Sequence, residues 1–332
     1  LHAPIRCTQN PTMGEEWRKG WHPERIPPKG SDDTVLVVGA GPAGLEAARA
    51  LGQRGYQVIL AEATTELGGR VTKESRLPGL AEWARVRDWR IGQLHKLPNV
   101  EIYLDSRLTA AQVLEFGFQH VALATGAHWS PDGFGRSNPI PIPGTDRGNV
   151  FTPDDVIGGT IPEGPVVIFD DDHYYMANVL AEVLRAAGRE VALVTPAPDI
   201  AAFTLNTLEM ERIVRRLDEI DVAMTTHHNL AEVRDGEVLL RHTVTRRECV
   251  LPAASVLVVA GRLPDDALQS ALMAAPEALA AAGVKSVKPI GDCHAPAAIV
   301  HATYAGHRYA RELDVASDPD AVPFLREMPS LN

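Results

Sequence analysis

Short apolar runs alternate with amphipathic stretches along most of the chain. The run Val35-Leu36-Val37-Val38 leads into a glycine-rich turn, a helical pattern over residues 45–54 and a second apolar run over 57–62. Strands that alternate with helices in this way are typical of a parallel sheet covered by helices. The same order restarts at Gly164, so the sequence predicts two α/β units.

Further elements follow from the same periodicities. The pattern predicts strands at 101–104, 120–124, 165–169, 190–194, 254–260 and 287–290, helices at 80–94, 177–187, 205–217 and 297–313, and a β-hairpin over 233–249 that turns at Asp235-Gly236. A connection over 129–144, rich in proline and glycine, marks a domain boundary.

We therefore expect an α/β fold with two Rossmann-like domains, the second inserted into the first as in flavoprotein disulfide reductases. The nucleotide-binding domain is predicted over 31–150 together with 251–316, and the inserted domain over 151–250. Residues 1–30 show neither helical nor strand periodicity and are predicted to be a linker that needs something else to pack against. Residues 317–332 are predicted to form a C-terminal tail.

The turn after the first strand has the sequence of a nucleotide-binding motif. Gly39 allows the tight turn, Gly41 lets the backbone approach a pyrophosphate, and Gly44 lets helix and strand pack closely. The N–H groups and the positive dipole end of the following helix favour phosphate binding. Glu62, eighteen residues after Gly44, can accept hydrogen bonds from ribose hydroxyls. The full pattern predicts an ADP-containing nucleotide, either ADP or FAD.

Several later turns are predicted to reach the same site. An aspartate after the strand at 287–290 faces the ribityl and pyrophosphate region in such folds, and Arg70 either neutralises a phosphate or is an exposed arginine. The residues predicted to bind the cofactor are Gly39, Gly41, Pro42, Ala43, Gly44, Glu62, Ala63, Gly69, Arg70, Thr125, Gly126, Gly291 and Asp292. No catalytic residue is predicted in this chain.

The second unit lacks the glycines of an intact NAD(P)H site. Its turn reads Asp170-Asp171-Asp172-His173-Tyr174-Tyr175-Met176-Ala177, in which bulky and acidic residues would keep a pyrophosphate from the helix. We predict that this site does not bind NAD(P)H. A divalent-metal site at 170–173 is the alternative, disfavoured because consecutive strand-end residues point to opposite faces and acids before a helix usually cap it.

Composition narrows the classes of partner. The 332 residues carry a net charge of −11, which argues against nucleic acids and anionic membranes as partners. No apolar run approaches the roughly eighteen residues that span a bilayer. Three cysteines are too few for a disulfide framework, so we predict a cytoplasmic protein.

A set of short motifs, spread over nearly the whole chain, resembles one family of flavoproteins. The motifs are Cys7-Thr8-Gln9-Asn10, Met13-Gly14-Glu15-Glu16, Gly20-Trp21-His22-Pro23-Glu24, Val38-Gly39-Ala40-Gly41-Pro42, Leu77-Pro78-Gly79-Leu80, Glu82-Trp83, Arg87-Asp88, Ala260-Gly261-Arg262, Ile290-Gly291-Asp292, Ala295-Pro296 and Gly306-His307-Arg308. They resemble trimethylamine dehydrogenase and its relatives, the dimethylamine and histamine dehydrogenases and, more distantly, 2,4-dienoyl-CoA reductase.

The resemblance implies that the chain is the C-terminal, nucleotide-binding portion of a larger enzyme. Such enzymes begin with a TIM barrel that carries FMN and the amine site, followed by four cysteines that hold a [4Fe-4S] cluster. Cys7 matches the fourth of these cysteines, and the others would lie upstream of this chain. Electrons pass to an electron-transferring flavoprotein, and the complete enzyme is expected to be a homodimer. The missing glycines of the second site favour ADP over FAD in the first.

Two other functions stay open at this stage. One is an FAD-containing, NAD(P)H-dependent reductase of the 2,4-dienoyl-CoA reductase type, and the other is a stand-alone ADP-binding module that scaffolds a partner. One helix is predicted to be solvated with buried tryptophans, and the alternative is that it forms a docking surface for an acceptor protein; it carries Trp83, Arg85, Arg87, Asp88 and Trp89.

Overall fold

The computed structural model describes residues 5–15, 21 and 25–315. Its strands are β1 Thr34–Val38, β2 Gln57–Ala61, β3 Val100–Tyr103, β4 His120–Leu123, β5 Ala127–Trp129, β6 Val150–Phe151, β7 Val166–Asp170, β8 Val191–Val194, β9 Ala223–Thr225, β10 His228–Val233, β11 Glu237–His242, β12 Glu248–Pro252, β13 Ser255–Val259, β14 Arg262–Pro264 and β15 Ser286–Pro289. Its α-helices are α1 Pro42–Arg54, α2 Arg70–Glu74, α3 Ala84–Leu94, α4 Ala110–Phe116, α5 Pro153–Ile157, α6 Met176–Ala186, α7 Met210–Glu219, α8 Ala267–Met273, α9 Pro276–Ala281 and α10 Ile299–Glu312.

The described residues form two compact units, and the second interrupts the first in sequence. The first unit comprises the described parts of 1–72, 83–126 and 264–332, and the second comprises 73–82 and 127–263. The parallel sheets and helices confirm the predicted α/β class. The second unit is wider than the predicted range of 151–250, because it also includes 73–82 and 127–150. Residues 251–263, predicted in the first domain, belong to the second unit as well, since β13 pairs with β7. The predicted tail at 317–332 lies outside the described residues.

A five-stranded parallel sheet in the order β15-β4-β1-β2-β3 forms the centre of the first unit. Successive side chains of β1 enter different cores: Val35 and Val37 pack in the core that includes α1 and α10, whereas Leu36 and Val38 pack in the core that includes α4 and α8. A sheet that is buried on both faces needs nearly continuous apolar strands, which is the pattern of β1.

Helices α1 and α10 approach each other so closely that one position of α10 has to be glycine. A Cβ atom at Gly306 would lie 2.1 Å from the Ala43 carbonyl oxygen and 3.0 Å from the Ala47 nitrogen. The contact therefore brings α10 against the first turn of α1.

A buried polar group joins three helices of this unit. Glu46 of α1 is 0% exposed and accepts hydrogen bonds from Arg49 of the same helix, Arg90 of α3 and His307 of α10. Burial alone would raise the pKa of Glu46, but the guanidinium groups of Arg49 and Arg90 and the bond from His307 hold it well below its ordinary value. Glu46 is therefore a paired carboxylate inside the core. We call Glu46, Arg49, Arg90, His307 and Arg311, which donates to His307, the Glu46 cluster.

The second unit contains a parallel sheet in the order β6-β13-β7-β8-β9 and an antiparallel sheet in the order β10-β11-β12. Val167 and Phe169 of β7 share a core with Leu230 and Leu240 of the antiparallel sheet. Helix α6 contacts β7 and β8. The turn at Asp235-Gly236 joins β10 to β11 as predicted, and a further strand, β12, extends the hairpin.

One other sequence expectation needs correction. The helix expected at 205–217 is broken at Leu208, whose φ of +60° cannot continue a right-handed helix, so a 3₁₀ segment over Ala202–Thr207 precedes α7. Helix α4 was not predicted, although Thr109 and Gln112 form a capping box at its start. Within the described residues, no helix has the length and apolar character needed to cross a membrane.

The close contact at Gly306 predicts a stability effect of opposite sign at two helical glycines. We expect Gly306→Ala to lower the free energy of unfolding by about 1–3 kcal/mol, because the added methyl group meets the backbone of α1. Gly92→Ala in α3, where a Cβ would meet no atom within 4 Å, should instead raise it by about 0.5–1 kcal/mol. Urea denaturation of both variants tests this, and equal effects would contradict the close contact.

Candidate functional site

The turn between β1 and α1 requires glycine at two of its positions. Gly39 has a φ of +99°, and a Cβ there would lie 2.3 Å from the Ala124 carbonyl oxygen. At Gly44 a Cβ would lie 1.9 Å from the Gly39 carbonyl oxygen. These two glycines let the helix begin directly above the end of the strand.

Gly41 differs from its two neighbours in the motif, because nothing occupies the space beside it. Its φ of −69° suits any residue, and a Cβ at this position would meet no atom within 4 Å. Gly41 is the N-cap of α1 and Pro42 is the first helical residue. The first N–H groups of a helix have no partner within the helix, so the amino end of α1 offers backbone donors next to open space.

A loop after β2 borders the same space. A Cβ at Gly69 would lie 3.1 Å from the Gly41 Cα, and the Gly68 N–H donates to the Ala40 carbonyl oxygen at 2.8 Å. Ala63 is exposed at the start of this loop, and Arg70 is half-buried at the start of α2. The structure thus brings the predicted residues Gly41 and Gly69 together.

Glu62 follows β2 and is held by three hydrogen bonds from the protein. Oε2 accepts from the Ala40 N–H at 2.8 Å, and Oε1 accepts from the Thr64 N–H at 2.9 Å and from its hydroxyl at 2.8 Å. An ionised carboxylate has about four acceptor positions, so one position is left for a hydroxyl donor. Glu62 therefore also shapes the turn, a role that its spacing from Gly44 did not indicate.

The ends of β4 and β15 complete the carboxyl edge of the sheet. A Cβ at Gly291, whose φ is +65°, would lie 2.6 Å from the Ala43 Cβ. Asp292 Oδ1 accepts from the Ala297 N–H at 3.0 Å and so fixes the loop before α10. Gly126 O accepts from the Asp265 N–H at 2.9 Å. These predicted residues lie at the edge where open α/β sheets bind ligands.

The hydroxyl group of Thr125, at the end of β4, bonds to other residues of the protein. Its hydroxyl donates to the Asp265 carbonyl oxygen at 2.6 Å and lies 3.1 Å from Cys293 Sγ. Burial raises the pKa of the Cys293 thiol, so this cysteine is a protonated packing group at neutral pH.

The corresponding edge of the second unit is filled by the protein itself. Asp171 Oδ2 accepts from the Ser137 N–H at 2.8 Å, and a Cβ at Gly135 would lie 2.6 Å from the same oxygen. The Gly261 N–H donates to the Phe134 carbonyl oxygen at 2.8 Å. The loop over 134–137 therefore lies across the ends of β7 and β13. A pyrophosphate at this edge would have to displace it.

The carboxylates in the turn between β7 and α6 accept hydrogen bonds from the protein backbone. Asp170 is 0% exposed, and its Oδ1 accepts from the N–H groups of Asp172 at 3.2 Å and His173 at 2.9 Å. Burial raises the pKa of Asp170 to about 7. His173 has a φ of +63°, and its ring packs edge-on against Phe203. The acids thus shape the turn between β7 and α6.

The described residues provide no metal centre. Among them, no group of three or more His, Cys, Asp or Glu side chains is arranged to hold a metal ion. The geometry of the described residues therefore gives no support to the metal site considered at 170–173. Cys7 is half-buried, and a [4Fe-4S] cluster needs four thiolates, so the residues described here do not suffice for a cluster.

One arrangement that spacing did not reveal joins the amino ends of three strands. His120 Nε2 lies 3.0 Å from Asp33 Oδ2, and His120 Nδ1 lies 2.8 Å from Ser286 Oγ. The order resembles a hydrolase triad, which also needs N–H donors for an oxyanion. The N–H groups of Ser286 and Lys285 both donate to the Gln119 carbonyl oxygen. These two N–H groups are thus bonded within the sheet, and the trio ties β1, β4 and β15 together.

Comparison with known proteins gives two family matches. The model described as "Pyridine nucleotide-disulphide oxidoreductase" matches residues 33–170, and the "OYE-like second alpha/beta domain" matches residues 151–246. Dimethylamine dehydrogenase from Hyphomicrobium sp. (strain x) is 38% identical, over 98% of this chain and 48% of its own length.

Solved structures agree with these matches. Histamine dehydrogenase from Rhizobium sp. 4-9 is 52% identical with a TM-score of 0.94, over 98% of this chain and 48% of its own. Thioredoxin reductase from T. acidophilum shares the fold alone, at 16% identity and a TM-score of 0.55, over 85% of this chain and 97% of its own. The chain spans about half the length of the dehydrogenases that it matches.

The raised pKa of Asp170 predicts how stability depends on pH. Because the folded state holds this proton up to about pH 7 and the unfolded chain releases it near pH 4, the free energy of unfolding falls as the pH rises through this window. Asn does not titrate. Between pH 4 and pH 8 we therefore expect the free energy of unfolding of Asp170→Asn to rise by about 4 kcal/mol relative to that of the unaltered chain.

Urea denaturation of both proteins at the two pH values measures this difference. Asp235→Asn, at the exposed turn between β10 and β11, controls for the general effect of removing a carboxylate from the same unit. If the free energies of unfolding of Asp170→Asn and the unaltered chain differ by the same amount at both pH values, the buried, protonated state of Asp170 is contradicted.

Proposed function

Over the half of their length that it spans, this chain belongs to the family of the dimethylamine and histamine dehydrogenases, and we propose that it is the ADP-binding portion of an amine dehydrogenase. The parent enzyme would oxidise a methylated or primary amine. The oxidation itself would take place on FMN, which the resemblance assigns to a barrel outside this chain. The role of the present residues is to bind a nucleotide and to support the rest of the enzyme.

The observation that carries the proposal is the open space beside Gly41. Gly39 and Gly44 are glycines because the protein's own backbone leaves no room for a side chain, whereas Gly41 meets nothing within 4 Å. A pyrophosphate can approach the amino end of a helix closely only if the residue there is small and the space beside it is open. Glu62, with one acceptor position left, would hold a ribose hydroxyl.

The second unit supports ADP rather than FAD as the ligand. A flavin in the first unit would need a hydride donor, and the edge that holds NAD(P)H in disulfide reductases is covered here by the loop over 134–137. ADP needs no such donor because it has no redox-active group. Its proposed role is therefore structural.

The proposed electron acceptor is an electron-transferring flavoprotein, and the proposed docking surface includes α3. Arg85, Asp88 and Trp89 are exposed on this helix, and the Arg49 guanidinium lies 5.3 Å from the centre of the Trp89 ring. An aromatic ring with neighbouring charges is a common anchor in protein interfaces. Cytoplasmic location and a homodimer of the parent enzyme stay predictions.

A second candidate is an FAD-containing reductase that uses NAD(P)H. It is favoured by the match to the pyridine nucleotide-disulphide oxidoreductase model over residues 33–170. The turns at Thr125-Gly126 and Gly291-Asp292 suit either nucleotide. The identity of the bound molecule distinguishes the two candidates.

The nucleotide extracted from the purified protein provides that test. We expect heat denaturation to release ADP, identified by mass spectrometry, from a protein without the visible absorption of a flavin. We also expect no change in the visible spectrum when NADPH is added anaerobically. Released FAD that NADPH reduces would support the reductase and contradict our proposal.

Substitution of Gly41 separates nucleotide binding from folding. We expect Gly41→Ala to keep the stability of the unaltered chain, because its backbone suits alanine and the space is open, but to bind ADP at least about tenfold more weakly. Gly39→Ala should instead destabilise the fold, because its φ is +99° and its Cβ would strike Ala124.

Calorimetric titration with ADP and urea denaturation measure the two properties separately. Gly92→Ala is the control, since α3 accepts the same methyl group away from the site. Unchanged ADP affinity in Gly41→Ala would show that the nucleotide binds elsewhere.

A further inference from the structure

The Glu46 cluster links the nucleotide helix to the segment that precedes the first strand. Glu46 lies five residues after Gly41, which corresponds to about 7.5 Å along the helix axis. Its carboxylate is 0% exposed and is bonded from two neighbouring helices. Each of these bonds begins a chain of contacts that ends on residues 5–15 or 25–30.

The first chain of contacts passes through Arg90. Its Nε donates to Glu46 Oε2 at 2.8 Å, and its two terminal nitrogens donate to Gln9 Oε1 at 3.2 Å and to the Gln9 carbonyl oxygen at 3.1 Å. The side chain of Arg90 is 0% exposed. The same guanidinium therefore holds the carboxylate of the nucleotide helix and the backbone of the N-terminal segment.

The second chain of contacts passes through His307. Its Nδ1–H donates to Glu46 Oε1 at 2.9 Å, and its Nε2 accepts from Arg311 Nε–H at 3.1 Å. Arg311 in turn donates to the Arg25 carbonyl oxygen at 3.2 Å. The Trp21 ring packs edge-on against the His307 ring, with 5.7 Å between the centres.

The charges of the cluster also favour an anion near the start of the helix. Burial lowers the pKa of His307, so this side chain is neutral at pH 7. The Glu46 carboxylate is paired directly with the guanidinium groups of Arg49 and Arg90, whereas Arg311 donates to the neutral His307. Among the members of the Glu46 cluster, guanidinium groups therefore outnumber carboxylates, less than two turns from the amino end of α1, where a diphosphate would lie.

We propose that Glu46 is a positioning residue that couples nucleotide binding at Gly41 to the attachment of residues 5–15 and 25–30 to the first unit. The proposal rests on the nucleotide-binding function proposed above. A nucleotide that fixes the first turns of α1 fixes Glu46, and Glu46 orients the two arginines that hold the segment. By thermodynamic linkage, the segment must strengthen nucleotide binding by the same factor.

Hydrogen exchange of the full chain, with and without ADP, measures this coupling. The Glu15 N–H donates to the Thr12 carbonyl oxygen at 2.9 Å, and the Lys29 N–H donates to the Arg54 carbonyl oxygen at 2.7 Å, so the segment contains bonded amides to follow. In the unaltered chain we expect saturating ADP to slow exchange at these amides by about fivefold or more.

Two variants interrupt the coupling at different points. Glu46→Gln removes the charge at the centre, and Gln9→Ala removes only an acceptor on the segment, leaving the bonds to Glu46 in place. In Glu46→Gln we expect ADP at saturation to lose its effect on exchange over both 5–15 and 25–30. Gln9→Ala keeps the bond to the Gln9 carbonyl oxygen and the contacts through His307 and Arg311, so there the effect of ADP should fall over 5–15 alone, and the dissociation constant for ADP should rise by the factor by which this protection falls. Glu182→Gln, at the exposed pair with Arg216 in the second unit, is the matched control.

The outcomes separate this proposal from the function on which it rests. ADP that binds the unaltered chain without slowing exchange over 5–15 and 25–30 overturns the coupling alone. Failure of ADP to bind the unaltered chain overturns both. A merely structural cluster would raise exchange in the variants while leaving the effect of ADP unchanged, which also overturns the coupling. If Glu46→Gln does not fold, Gln9→Ala decides.

Discussion

A buried carboxylate, Glu46, determines how the first unit is assembled. A carboxylate removed from water has to be paired, and removal of one member of such a pair typically costs about 3–5 kcal/mol. Glu46 is paired with groups from α3 and α10 as well as from its own helix. This one side chain therefore helps to hold both helices on α1, together with the apolar core that the three helices share and the close contact that Gly306 permits.

The two units show the same strand–turn–helix geometry put to different uses. In the first unit, the turn is built from glycines and leaves space beside Gly41. In the second, Asp170 and Asp171 bond to the backbone of their own turn and of the neighbouring loop. The open edge of the first unit depends on the absence of side chains, whereas side chains and a loop fill the same edge of the second unit.

The sequence was sufficient to predict those parts of the structure that neighbouring residues along the chain determine. The strand, the glycine turn, α1 and β2 follow from residue periodicity and from conformations that only glycine adopts, and all of them are present as expected. Sequence alone did not reveal the Glu46 cluster, because His307 lies 261 residues from Glu46. It also missed the loop over 134–137, whose contacts with Asp171 depend on tertiary folding, and the break at Leu208.

The arginines that bind the N-terminal segment affect the choice of boundaries for expressing this unit. A fragment that starts just before β1 would look reasonable from the nucleotide motif. It would remove the carbonyl groups of Gln9, Arg25 and Pro27, to which Arg90, Arg311 and Arg54 donate. These guanidinium groups would then have to exchange protein acceptors for water, and the bonds that attach the segment to the unit would be lost. A fragment that begins upstream of Gln9 keeps all of these bonds, although this boundary lies well outside the recognisable Rossmann pattern.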